Sequence, residues 1–525
     1  MSRKQPYPIA DLTKGLHVSV DALLISDGAS PNMDRVRFDR GILRKDFEYK
    51  VFGYIPERPM YIDTFYKTDG NEYTIVLGAA SAYEYASSEL TQITGSNVFT
   101  GSYDDVFSTA TYNDLFIVTN GKDAIQKYDG ATWGALGGCA TILAKRFIVF
   151  YDHLIMGHTI ESSVACPQRV RWSDTGEPEQ WDEVTYPNAG FYDLVDTVDW
   201  VVAFVLLRDR LFVFKERSIW EFLHVGGTQI FEYRLVIDGI GTYAPHALES
   251  LGEEVILYGS DNLYVFDGNS IRGVGDKIYS WLYATEYKKV ASSYLYKAPA
   301  RFIEETGEYV IAVPTTGDDP DWLIKYNTVD ESFTQRTLEV SCIGYNTVGG
   351  RTTWAAATGA WSASEWDVSW KYKALPPGAP TMLYGSTDGI IYEDDRITTQ
   401  AYRIWLTDAR VWEDITDLWS SQRYDTTMFW ESKDFMFGHA ARVVECHIQV
   451  RGCPLSLYYS VDKGVTWSSA FDLTPSETEL REMVVDLNVT CQRIRFKISA
   501  TGDDLEVKWL EPWYIQRKRS KLVYR

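Results

Sequence analysis

Histidine is scarce in this sequence and cysteine is unorganised. Seven His and six Cys are spread over 525 residues. Cys139, Cys166, Cys342, Cys446, Cys453 and Cys491 form no CxxC pair and have no His at ligand spacing, which argues against a structural zinc. Cys446 and Cys453 are close on an expected hairpin, but reduced buried thiols are the expected state. His153 and His158 stand five residues apart on a strand and so face opposite sides, a poor metal pair. No G-x-S-x-G, Walker A loop, HExxH or dinucleotide fingerprint is present, so neither a catalytic centre nor a cofactor is expected. No apolar run approaches 18 residues, and MSRKQPYPIADL lacks a signal core. The expectation is a chain folded in a cytoplasm without a membrane anchor. Positive charge is lacking too: the formal net charge is -22. That disfavours a basic clamp on nucleic acid, while leaving room for a smooth acidic channel through which nucleic acid passes.

Helical spacing is also nearly absent; Ala247–Leu251 and Arg410–Leu418 are the short candidates. What is present suits sheets. Aromatics make up 14% of residues, with 35 Tyr and 18 Trp. From Leu211 to Lys277, short apolar runs (Leu211–Phe214, Val255–Tyr258, Leu263–Phe266) alternate with Gly, Asp and Asn turns. The chain reads as all-β.

A phrase like LYVFDGNSIRGV recurs. Its marker aromatics are Tyr85, Tyr128, Trp172, Phe214, Phe266, Tyr326 and Tyr392, with gaps of 43, 44, 42, 52, 60 and 66 residues. A period of about 40–45 residues holding four short strands is the signature of propeller blades. One such sheet cannot bury both faces; a ring of sheets buries each against its neighbour. The expectation is a β-propeller of about seven blades over residues 36–400, with six or eight open and a plain β-sandwich as the alternative. Residues 1–35 read as an extended arm that packs on something larger. The hairpin Val36–Tyr49, turning at Asp39–Gly41, is placed to supply a strand to the last blade and lock the ring.

The widening gaps call for insertions. Residues 357–380 carry Trp361, Trp366 and Trp370, and residues 401–424 carry Trp405, Trp412 and Trp419. Such loops are candidate interfaces, because rigid aromatics dominate contact energies; folding back on their own domain is the equal alternative. Residues 425–516 hold a run of strands, with period-two alternation in Val443–Val450 and Arg493–Ile498, and read as a C-terminal antiparallel β-sandwich. The tail 517–525 is basic, and Arg517, Lys518 and Arg519 suit docking on an acidic neighbour or simple solvation.

Ser460, Asp462, Gly464, Thr466 and Trp467 match the Asp box, S-x-D-x-G-x-T-W, known from sialidases and other β proteins. Its mechanics are those of a turn: Ser and Asp close it, Gly takes a positive φ, and Trp packs beneath. It occurs once and outside the ring, so it is read as structural. The pairs Glu253–Glu254, Asp318–Asp319, Asp394–Asp395 and Asp503–Asp504 are read as solvated turns.

Several phrases together resemble a family. GTYAPHALESLGEEVILYGSDNLYVFDGNSIRGVGDKI (Gly241–Ile278), RVRWSDTGEPEQWD (Arg169–Asp182), DGASPNMDRVRFDRGILRK (Asp27–Lys45) and WESKDFMFG with YYSVDKGVTW and RFKISATGDD are similar to blocks of the tail nozzle or hub proteins of short-tailed bacteriophages, also called packaged-DNA stabilization proteins. The resemblance implies a virion tail protein, assembled in the host cytoplasm as a ring, usually a homohexamer. That ring would sit below the portal and its adaptor, carry fibres or a needle, and pass double-stranded DNA through its lumen without reading sequence. A glycan-binding or glycan-degrading tail protein and a cellular propeller scaffold are the rival readings.

Overall fold

The computed structural model describes residues 3–86, 89–227, 229–284, 286–304, 306–346, 380–395, 427–502 and 504–516. Seven four-stranded antiparallel sheets follow one another along the chain. Blade one is Pro59–Tyr66, Glu72–Gly78, Ala82–Ala86 and Glu89–Gln92. Blade two runs from Ser108–Tyr112 to Trp133–Ala135, and blade three from Ile142–Phe150 to Gly190–Asp193. Blade four runs from Val201–Leu207 to Phe231–Asp238, blade five from Glu249–Ser250 to Ile271–Gly273, and blade six from Ala300–Ile303 to Ser332–Thr337. Each first strand packs beside the first strand of the next blade, and that of blade seven returns to blade one. That closed cycle is the propeller.

The second strand of most blades is a continuous apolar run because both its faces are buried. Successive side chains on a strand point to opposite faces, here to opposite neighbouring blades. Phe116 and Val118 enter the core shared with blade one, while Ile117 enters the core shared with blade three. Leu211 and Val213 pack toward blade three, Phe212 and Phe214 toward blade five. Val310 and Ala312 face blade seven, whereas Tyr309 and Ile311 face blade five. Six of the seven marker aromatics lie on third strands. Phe214 does not; it sits on the second strand of blade four, Arg210–Lys215, whose third strand, Ser218–His224, carries the buried aromatics Trp220 and Phe222.

Blade seven is completed from the far end of the chain. Cys342–Asn346, Thr381–Gly385 and Ile390–Asp395 are joined by Glu48–Tyr54, which pairs antiparallel with Ile390–Asp395. The expected hairpin forms one step earlier, Val36–Asp39 with Ile42–Lys45, turning through Arg40 and Gly41 at φ 48° and 82°. It does not close the ring. Instead its second strand pairs with Glu506–Gln516, Leu43 opposite Val507. The chain parts between the two tasks at Asp46, which Lys325 and Arg336 hold in a buried position.

The C-terminal body is one ten-stranded antiparallel sheet, folded over on the long strand Arg481–Ala500. The first part of that strand pairs with Phe435–Arg451; its last residues lie between Met428–Glu431 and Leu455–Ser460. Four of the ten strands come from the first 45 residues. The arm binds both bodies: Ile9 N–H donates to Leu510 O (2.9 Å), Leu16 N–H to Phe333 O (2.7 Å) and Arg35 N–H to Gln335 O (3.0 Å). It thereby covers the outer edge of blade six, Ser332–Thr337, which would otherwise present unpaired backbone groups. One apolar core runs without a break from blades five and six (Tyr309, Trp322, Phe333) through Leu12, Leu16 and Met33 to Trp430, Phe496 and Leu510.

The helix expected at Ala247–Leu251 is absent, and Glu249–Ser250 is the short first strand of blade five. Helical turns occur at Gly275–Ile278, Tyr279–Leu282 and Ser292–Lys297. No described helix is long and apolar enough to cross a membrane. Arg410–Leu418 lies outside the described residues.

Candidate functional site

The first strands of the blades put one set of side chains around the propeller axis. Arg301 donates to Glu249 Oε1 at 2.7 Å and to the Tyr61 hydroxyl at 3.1 Å. The His246 ring lies against Tyr61 with 4.8 Å between centroids. Burial, with Arg146 and Arg301 nearby, holds His246 well below the ordinary histidine range, so it is neutral. Burial pushes the Glu249 carboxyl up, and Arg301 opposes that rise. Polar groups thus converge on the axis, Arg301, Glu249 and Tyr61 paired with one another and His246 Nε2 without a hydrogen-bond partner among the described residues.

One end of the axis is strapped. Lys297, at the end of the Ser292–Lys297 helix, bridges Asp104 (2.8 Å) and Asp318 (3.1 Å). Tyr296 donates to Asp104 at 3.3 Å, and Arg58 pairs with Asp319 at 2.5 Å. The strap joins the approach to blade six with the loop leading to blade two. Beside it lies a cavity of about 470 Å³, lined by Lys122, Lys145, Arg146, His158, Trp200 and Tyr243 among others. The sequence signal for this site was the KR pair inside ILAKRFIVF, two adjacent cations interrupting an apolar strand.

The Asp box forms the turn expected of it. Ser460 Oγ donates to Asp462 Oδ1 (2.7 Å) and accepts from the Gly464 N–H (2.9 Å). Thr466 donates to Asp462 from its amide (2.9 Å) and its hydroxyl (2.5 Å). These hydrogen bonds, that of the Thr466 hydroxyl first, hold the Asp462 carboxyl down to about 2. Gly464 has φ +84°, and a Cβ there would meet Arg495 Nη1 at 2.9 Å. Trp467 is half-buried, with Lys497 Nζ 5.5 Å from its ring centroid. Gly464→Ala is expected to cost about 1–2 kcal/mol, the penalty for a side chain in the left-handed region, read as a lower urea-unfolding midpoint. An unchanged midpoint would remove the structural assignment of this turn.

The carboxylate pairs divide. Glu253 pairs with Arg208 (2.7 Å) and Glu254 with Arg272 (3.2 Å), and Asp318 and Asp319 belong to the strap. Asp394 departs from the solvated-turn expectation: it is 3% exposed on the strand Ile390–Asp395, where Tyr384 donates to it at 3.3 Å. It is buried because a buried guanidinium, Arg336, stands 3.9 Å away. Asp503 lies outside the described residues.

His158 occupies a bulge at φ 53°, so the simple alternation from His153 does not hold. The two still do not meet: His153 Nδ1 bonds Ser173 O at 2.6 Å, and His158 Nδ1 bonds Val201 O at 3.2 Å. Among the described residues no group of three or more His, Cys, Asp or Glu could hold a metal ion. The candidate interface residues Trp361, Trp366, Trp370, Trp405, Trp412, Trp419, Arg517, Lys518 and Arg519 lie outside the described residues. Their points of departure are visible. Asn346 pairs with Thr381 across the 347–379 segment, and Asp395 ends the neighbouring strand at that same end of blade seven.

No family model and no curated protein matches this chain. Among solved structures it is similar to BamB from Moraxella catarrhalis, with TM-score 0.36 and 10% identity over 70% of this chain and 96% of that one. It is similar to the Pan2 WD40 domain of Neurospora crassa, with TM-score 0.37 and 8% identity over 66% and 94%. A streptogramin B lyase gives TM-score 0.40 and 9% identity over 66% and 97%. At such scores these likenesses carry no argument about activity; the closed cycle of first strands is what defines the fold.

Proposed function

We propose that this chain is a non-catalytic structural subunit of a virion tail. Copies of it form a ring, a homohexamer, that extends the portal's DNA channel, helps retain the packaged genome and anchors fibres or a tail tip. The observation that carries this reading is the weld. The first 54 residues complete the C-terminal sheet, cover the edge of blade six and close blade seven, making one stiff body. The phrases resembling phage nozzle proteins sit on that frame. Asp27–Lys45 is the weld itself, and Arg169–Asp182 builds blade three, with Trp181 1% exposed and its indole donating to Pro178 O at 2.7 Å.

The polar groups that converge on the axis bear on where DNA runs. With Arg301, Glu249, Tyr61 and His246 across it, an individual propeller is not the conduit, and the lumen in this reading is enclosed by the ring of subunits. An excess of acid lets a phosphate backbone slide past without counterion-release binding. Connections of blade three expose single apolar side chains, Val184 at 90% and Val198 at 93%, which neighbouring copies would cover. Both Trp-bearing segments leave one end of blade seven, and their tryptophans are contact candidates for each copy.

The test is density from the intact particle. The expected result is several copies of the welded body arranged in a ring beneath the portal adaptor. Copies confined to fibre tips, or absence of the chain from the particle, would overturn the reading. A second reading, a glycan-binding tail protein, is favoured by the cavity at the axial mouth.

A further inference from the structure

Among the described residues Lys145 and Arg146 are cations without an ion-pair partner, with Asp105 acting on Lys145 only at longer range. Around them, Arg301 is paired with Glu249, Lys297 with Asp104 and Asp318, Arg58 with Asp319, and Lys122 with Asp105. Lys145 and Arg146 make no ion pair among the described residues, in a protein with a formal charge of -22. The Arg146 guanidinium is oriented by backbone carbonyls instead: Nε donates to Val202 O at 2.6 Å and Nη1 to Lys145 O at 2.7 Å. That fixes its plane and leaves Nη2 uncommitted at the cavity wall. Both residues line the cavity, and burial together with the Arg146 charge holds Lys145 below its ordinary value, so an anion in the cavity would favour the charged forms.

The rest of the wall is of another kind. Trp200 is 51% exposed and meets His158 edge-on, with 5.7 Å between centroids. His158 is held down to about 4 by burial and by Lys145, so at neutral pH its Nδ1–H donates to Val201 O and its Nε2 is an acceptor. Tyr243 and Glu216 also line it, as do Asp104 and Asp105, whose charges are met by Lys297 and Lys122. A cation pair, an aromatic wall and two acceptors, in a cavity of about 470 Å³, match a small ligand with one anionic end and a hydroxylated ring. Phosphate alone would use neither the aromatic wall nor the acceptors.

We propose that this cavity binds a sugar acid. Its carboxylate lies on Lys145 and Arg146, the C–H face of its ring lies against Trp200, and its hydroxyls donate to His158 Nε2 and Glu216. The proposal does not depend on the virion reading: a ring subunit without this site and a sugar-binding propeller outside any virion are both distinguishable outcomes. A free sugar acid and the end of an acidic polysaccharide share the chemistry, and the ligand series separates them.

The experiment is calorimetric titration of the full chain with D-galacturonate, trigalacturonate, D-galactose and inorganic phosphate. Galacturonate is expected to saturate one site and galactose to bind at least about tenfold more weakly. K145A and W200A are each expected to lower galacturonate affinity about tenfold, equivalent to about 1.4 kcal/mol. Both side chains are exposed, so unchanged urea midpoints will show that the variants fold. Tighter binding of trigalacturonate marks a chain end; equal binding marks the free sugar acid. No saturable binding of galacturonate, equal binding of galactose, phosphate displacing galacturonate as well as galacturonate itself does, or full affinity in K145A would each overturn the proposal.

Discussion

Asp46→Ala is expected to lower the unfolding free energy by about 3–5 kcal/mol, the cost of removing one partner from a buried ion cluster. Asp46 is 5% exposed, between the hairpin that enters the C-terminal sheet and the strand that closes the propeller. Its carboxylate accepts from Lys325 at 2.7 Å and lies 3.3 Å from Arg336 Nη1. Lys325 and Arg336 are 2% and 0% exposed, so neither can turn to water when the acid is gone. Arg336 is gripped elsewhere, donating to Phe47 O at 3.0 Å and lying over the rings of Tyr49 (4.6 Å) and Tyr384 (5.3 Å). The penalty is therefore an uncompensated charge rather than a lost contact. Urea titration monitored by tryptophan fluorescence reads it directly. Asp46→Asn, which keeps the shape, should cost a similar amount; Asp46→Asn with Lys325→Met should recover part of it, because an apolar replacement removes the stranded charge. A single variant within about 0.5 kcal/mol of the parent, as at ordinary surface sites, would show that the cluster does not hold the weld.

The same group sets an acid limit with a definite sign. Burial raises the Asp46 carboxyl, and Lys325 and Arg336 more than cancel the rise, leaving it below its ordinary 3.8. A depressed folded value means its contribution is complete above pH 3.8 and disappears as pH falls through the folded value. Glu308, 6% exposed nearby, has the opposite tendency: burial raises it above its ordinary 4.5. Protonating Glu308 favours the folded state, so it offsets acid loss before Asp46 begins to titrate. Stability should stay nearly level from neutral pH to about 4 and fall below that, and Asp46→Asn should remove the fall assigned to this carboxyl.

The propeller was legible because its second strands are buried on both sides, so runs such as Val255–Tyr258 have no polar face and stand out from any alternating strand. Counting by aromatics slips at blade four, where two similar phrases, LFVF and IWEF, start eight residues apart and lie on the second and third strands. With Trp220 in place of Phe214 the gaps become 48 and 46, closer to an even repeat. The destination of the Val36–Lys45 hairpin was not legible, since its partner at Glu506–Val507 lies more than 460 residues away and any exposed edge would satisfy the same hydrogen bonds. The axial residues were hidden for a related reason. Tyr61, Arg146, Glu249 and Arg301 sit on four different first strands, and only closure of the ring brings them together. The Asp box was readable in full because its hydrogen bonds all fall within seven residues.

Deleting residues 1–54 is expected to abolish cooperative unfolding, whereas deleting residues 1–8 should only lower the midpoint. The longer deletion takes away Glu48–Tyr54 and leaves blade seven with three strands, its Ile390–Asp395 edge unpaired. Tyr49 then leaves the core that joins blades six and seven, where its ring meets Tyr392 edge-on at 5.3 Å. Phe52 leaves its contact with Tyr85 of blade one, 4.2 Å between centroids. Side chains of this size contribute about 1.5–3 kcal/mol each when fully buried. The losses from the closing strand, the uncovered edge of blade six and the hairpin under the C-terminal sheet therefore reach the whole stability of an ordinary domain, about 5–15 kcal/mol. The shorter deletion removes the exposed pair Gln5–Pro6 with its pairing to Trp513 and Tyr514, the Lys4–Glu445 ion pair, and Tyr7 with its contact on Phe435, and leaves the ring shut. Limited proteolysis separates the cases: the 1–54 deletion should be cut throughout blades six, seven and one, and its free edge should drive aggregation. If that protein unfolds in a single transition at the parent's midpoint, ring closure through Glu48–Tyr54 contributes nothing to the fold, and the stiffness on which the tail-ring reading rests is lost with it.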